Sequence, residues 1–161
     1  MSYKRFFSSG SGIEIWFEAQ MENLRLVDYT PVALATVFRV VRQYLPSKTR
    51  TAEEFIDNPE SVDELLDKVL KIDIILRVEQ ADGTIQRVAV DVSGNASKAQ
   101  SKFDEIMQSN FWAARRALCL DRHWIVLVNE RKLPSPDDLT DAIYEAVDSN
   151  QKCVMINLWE S

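Results

Sequence analysis

Asp73 and Asp91 lie in the one stretch of this 161-residue chain where residue type and spacing together set up a chemical site. Ile72, Ile74, Leu76 and Val78 alternate with Asp73, Ile75, Arg77 and Glu79; further on, Val88, Val90 and Val92 alternate with Arg87, Ala89 and Asp91. Both runs read as strands, and Ala81-Asp82-Gly83 reads as a three-residue hairpin loop with Gly83 left-handed. A shared apolar face fixes the register, because a slip of one residue turns every side chain to the other face. Gln80 then opposes Thr84, Leu76 opposes Val88, Ile74 opposes Val90 and Ile72 opposes Val92. On the reverse face Asp73 stands directly against Asp91. Carboxylates so placed have Cβ atoms about 5 Å apart, and their apolar flanks leave little water to screen them. The pair persists if one acid holds a proton, if a cation bridges the two, or if both splay into solvent at the strand ends.

Other reactive side chains are sparse. His123 with Cys119 and Cys153 cannot close a zinc site, and the two cysteines read as small buried hydrophobes in a reduced cytosol. His123, beside Trp124 at a strand start, reads as structural. Arg115, Arg116 and Arg122, with Arg131 and Lys132, read either as a phosphate-facing patch or as a solvated helix end and loop. Trp16, Trp112, Trp124 and Trp159 fall on four separate elements, which suits core or rim positions better than a stacking platform. No Gly-rich phosphate loop, nucleophile elbow or dinucleotide fingerprint is present.

The elements that position the acids follow from periodicity and capping. Thr30-Pro31, Asn58-Pro59 and Ser135-Pro136 each place a capping side chain before a proline, predicting helices over Pro31–Leu45, Pro59–Leu70 and Asp137–Val147. Ser97 and Gln100 have the spacing of a capping box, and the helix they open should reach Leu120. His123–Val128 and Cys153–Trp159 read as strands, while Ile13, Ile15, Phe17 and Ala19 alternate as an extra strand would. The expectation is an N-terminal extension or extra strand over residues 1–30, then a single α/β domain over 31–161. Its mixed sheet has a central antiparallel hairpin flanked by helices.

The order of these elements resembles the PD-(D/E)XK nuclease superfamily, the restriction-endonuclease-like fold. A helix leads to an Asp that opens a strand; a hairpin follows, and an acid ends the next strand two residues before a polar position. Ile72-Asp73 stands where that family has Pro-Asp, and Asp91-Val92-Ser93 stands where it has (Asp/Glu)-x-Lys. The resemblance implies that Asp73 and Asp91 bind Mg²⁺, with Glu64 on the preceding helix as a further ligand, and that phosphodiesters are hydrolysed. It also implies that Lys98, in the first turn of the next helix, stands in for the lysine that Ser93 replaces; Lys102 lies one turn further along. Only two strands precede the long helix, where the family has three. The rival expectation is a catalytically inactive protein of the same fold, serving as an interaction or adaptor module.

Charge narrows the partners. Lys and Arg total 19 against 25 Asp and Glu, a net charge of −6, which excludes a generally cationic nucleic-acid coat protein. DNA or RNA would have to be gripped by a local patch, from Lys98, Lys102 and the Arg115–Arg122 segment; a protein partner or homo-oligomer is the other expectation. No window approaches ~18 apolar residues and no secretory signal is evident, so a cytoplasmic protein with no membrane partner is expected.

Overall fold

The computed structural model describes residues 12–54, 62–149 and 151–160. The expected hairpin forms, but at one edge of the sheet and not at its centre: strand β1 (Ile74–Glu79) pairs antiparallel with β2 (Ile85–Ser93), Ile74 against Val90 and Leu76 against Val88. The loop closes as the glycine requires, with Gln80 N–H donating to the Thr84 carbonyl at 2.8 Å and Gly83 at φ 86°. Strand β3 (Arg122–Val128) lies parallel to β2, and β4 (Cys153–Leu158) parallel to β3, giving one mixed sheet in the order β1-β2-β3-β4. Every residue of β3 is buried, as expected of a strand covered on both faces.

The alternation that fixed the register also sorts the core into two layers. Val88, Val90, Val92, Trp124 and Val126 face helices α1 (Gly12–Asn23) and α7 (Pro136–Asp148), meeting Phe17 and Met21 from one and Leu139 and Ile143 from the other. The other face carries Ile75 and Ala89 against α2 (Leu34–Tyr44), α4 (Val62–Leu70) and α6 (Ser109–Ala117). Near the carboxyl ends of β2 and β3, α5 (Ala96–Ile106) lays Ala99 and Ile106 over Ile125 and Leu127. A short helix, α3 (Thr49–Glu53), follows a 3₁₀ turn at Pro46–Lys48. No helix among the described residues is long and apolar enough to cross a membrane.

Four local expectations are corrected. Residues 13–19 form part of helix α1, not a strand: Ile13, Phe17 and Met21 are buried at a spacing of four while Ile15 is 52% exposed. The free edge of β1 is instead met by Leu26–Asp28, where Arg77 N–H donates to the Leu26 carbonyl and Asp28 N–H to the Ile75 carbonyl. Thr30-Pro31 does not open α2, which begins at Leu34 after an uncapped Ala33; Thr30 N–H is taken by Asp28 Oδ1 in a turn. The Asn58-Pro59 helix start lies outside the described residues. The helix expected from Ser97 to Leu120 is two, α5 and α6, separated where Gln108 turns extended. Cys119, placed on that helix as a buried residue, is exposed in the loop beyond α6 at φ 60°.

Capping follows local chemistry. Ser135 Oγ accepts from Asp138 N–H ahead of Pro136, as expected, but α5 is capped by Asn95, whose Oδ1 accepts from both Lys98 N–H and Ser97 Oγ–H. Gln100 donates to Asp104 and closes no box. Asn95→Ala is expected to lower stability by about 1 kcal/mol, measured as a shift of the urea midpoint at constant m-value. Ser97→Ala should cost less, because it leaves the Lys98 amide capped.

Candidate functional site

The paired strands end at Ile74, and the chain bends at Asp73. Asp73 N–H donates to the Val90 carbonyl at 2.8 Å, and its Oδ2 accepts from Val92 N–H at 2.8 Å. The side chain thus replaces the ladder bond that the expected Ile72–Val92 pairing required, and Asp73 meets Asp91 around the strand end instead of squarely across it. Asp91 is fully buried on β2, in register with Ile125 and beneath α5. Asp67, on the last turns of α4, completes the group: one carboxylate oxygen from each of Asp67, Asp73 and Asp91 lies within 4.8 Å of the others.

One cation answers these acids. Lys102 Nζ sits 2.9 Å from Asp91 Oδ2, an ion pair made to a fully buried carboxylate. Burial pushes the Asp73 carboxyl up to about 10, and the charges of Asp91 and Asp67 push in the same direction. Burial also raises Asp91, outweighing the Lys102 ammonium and the hydrogen bond from Asp73 that lower it. Burial of the ammonium lowers Lys102, but the charge and hydrogen bond of Asp91 together with the neighbouring acids outweigh it and raise it overall. In the absence of a further cation, burial and the neighbouring acids favour a proton on Asp73, while Lys102 favours the charge on Asp91.

The other predicted site residues stand apart. Lys98 is exposed, and so is Glu64. Each misses the cluster by one helical turn, and the buried stripes explain why. Ala99 and Ile106 define the inward face of α5, and Lys102 lies between them at helical spacing while Lys98 does not. On α4, Asp67 lies one turn from the helix end, close to the strand that Asp73 opens; Glu64 is a turn further back. That nearness to the helix end was the available signal for Asp67. Ser93, at the motif-lysine position, is buried and spends its hydroxyl on the Asn95 backbone, turning the chain into α5.

The expected basic patch is not formed by its main members. Arg115 is fully buried, donating to the carbonyls of Phe111 and Leu70 and to His123 Nδ1. Arg122 is 3% exposed and donates to the Ala146, Val147 and Gln151 carbonyls, where a cation suits the carboxyl end of α7. His123 is held neutral, since burial and the adjacent Arg115 both disfavour a second charge. A cavity of only about 20 Å³, the size of a single water or ion, adjoins Asp73 and is lined also by Glu14 and Glu18 of α1; of the three clustered acids only Asp73 lines it. Compared with known proteins, the chain matches no protein-family model, no curated protein and no solved structure.

Proposed function

We propose that the acidic cluster is the site of a divergent Mg²⁺-dependent nuclease of PD-(D/E)XK type. The observation that carries this reading is the convergence of Asp67, Asp73 and Asp91 within 4.8 Å, with Lys102 2.9 Å from the buried Asp91. Three carboxylates are the hard oxygen donors that Mg²⁺ prefers. Asp73 and Asp91 would hold the ion, with Asp67 in place of Glu64. A bound ion lowers the pKa of its water and offsets charge on a phosphodiester under attack. Lys102, not Lys98, keeps Asp91 charged and fixed, and it is the ammonium placed to orient water or phosphate. The Val92 amide holds Asp73 in line.

The test is Mg²⁺- or Mn²⁺-dependent cleavage of single- and double-stranded DNA and RNA. Asp91→Asn is expected to reduce it at least about a hundredfold, since a metal-bound transition state is worth several kcal/mol. Lys98→Ala should leave it within about twofold. Equal cleavage by wild type and Asp91→Asn would discard the reading. A second reading, an inactive interaction module on the same scaffold, is favoured by the burial of Asp73, which raises its carboxyl to about 10 and lets the cluster stand without any ion. Absence of both cleavage and Mg²⁺-dependent stabilisation would select it.

A further inference from the structure

At the opposite end of the sheet lies a cleft of about 450 Å³, within the range of small-molecule sites. Gln86, on its wall, precedes Asp91 by five residues of β2, roughly 16 Å at the rise of a strand. Three of the seven buried polar side-chain atoms that lack a hydrogen-bond partner among the described residues belong to residues lining this one cleft: Gln80 Nε2, Gln86 Oε1 and Trp112 Nε1. Native structures rarely leave such atoms unpaired, and a concentration of them around a cleft marks bonds that a guest completes. Both glutamines are only half-buried, and the terminal torsion of a glutamine is soft enough to turn its amide toward a ligand.

Charge says which kind of guest. Arg116 and Lys152 line the cleft and are exposed, and Lys152 Nζ stands 5.4 Å from the Trp112 ring centroid. The opposing acid, Asp121, is partly satisfied by Arg87 N–H, which donates to its Oδ2 at 2.9 Å. The lining residues thus bring two exposed cations, two unpaired N–H donors and one unpaired acceptor to one cleft, in a chain whose net charge is −6. We propose that this cleft binds a phosphomonoester of nucleotide size. The dianionic phosphate is met by Arg116, Lys152 and the Trp112 and Gln80 donors, and Gln86 accepts from an N–H or O–H of the organic part. The site is independent of the acidic cluster and of the nuclease reading.

The probe is AMP, with inorganic phosphate and adenosine as the two halves of the chemistry, followed through the indole N–H resonance of Trp112 in ¹H–¹⁵N spectra. That resonance is assigned by its loss in Trp112→Phe. AMP should shift it saturably in the millimolar range or tighter, and the Arg116→Gln/Lys152→Gln double variant should weaken binding at least about tenfold. Both positions are exposed, so the variant keeps its fold. An equal response to inorganic phosphate would identify the free anion as the ligand and keep the oxyanion site. No shift with either anion, an equal shift with adenosine, or an unchanged affinity in the double variant would overturn the proposal.

Discussion

Asp73→Asn is expected to make the metal-free protein more stable at pH 8 than wild type, while removing its response to Mg²⁺. An unfolded Asp releases its proton near pH 3.9, whereas burial and the Asp91 and Asp67 charges hold that of Asp73 up to about pH 10 in the fold. Between those values the folded state binds a proton that the unfolded state has lost. Stability therefore falls as pH rises through the window, by at most about 1.4 kcal/mol per pH unit. Even a third of that limiting slope amounts to about 1–2 kcal/mol between pH 5 and pH 8. Asparagine reproduces the protonated acid: its oxygen accepts from Val92 N–H and its NH₂ donates toward Asp91. The difference in unfolding free energy between variant and wild type should therefore grow with pH. Saturating Mg²⁺ should flatten the wild-type profile, because a cation relieves the same repulsion that the proton relieves, and leave the variant's unchanged. Parallel profiles for the two proteins would refute the assignment of the proton to Asp73.

The hairpin was legible because two constraints agreed: alternation fixed the faces and a three-residue loop ending in Gly83 fixed the register. Two of the site acids follow from that register alone. What the sequence did not disclose was which helical residues reach them. Lys98 is nearer to Asp91 along the chain, but the helix face defined by Ala99 and Ile106 selects Lys102. Along α1, Ile13, Phe17 and Met21 satisfy a period of two as well as a period of four, and what breaks the tie is Trp16, an even position packed on the same core. Arg115 and Arg122 were hardest to place. Arginines are sorted to the surface unless an acid is at hand, yet here the answering groups are backbone carbonyls, those of Leu70, Ala146 and Val147 at helix ends, which no side-chain pattern reveals.

Arg115→Met carries the largest expected loss of stability, about 3–5 kcal/mol out of the 5–15 kcal/mol typical of a domain. The guanidinium is fully enclosed and joins three elements: the Leu70 carbonyl ending α4, the Phe111 carbonyl of α6 and His123 Nδ1 on β3. Burial lowers its pKa to about 10, which still leaves it charged at neutral pH. The partial negative charge at the carboxyl end of α4 serves as its counterpart in place of a carboxylate. Methionine keeps the length and the apolar stem but removes the side-chain donors that meet these three buried acceptors. Lysine keeps the charge but offers one ammonium where a planar fork spans three acceptors, so Arg115→Lys should recover less than half of the loss. The effect extends to the acids, because Leu70 lies three residues from both Asp67 and Asp73, and Lys71 between them is held at φ 57°. With that carbonyl released, the turn that aims Asp73 at Asp91 loses its anchor. Variants that remain folded should then bind Mg²⁺ at least about fivefold more weakly, read as reduced Mg²⁺-dependent stabilisation. A wild-type urea midpoint in Arg115→Met would show that the buried charge holds nothing, and a weakened fold with unaltered Mg²⁺ binding would separate this network from the acidic cluster.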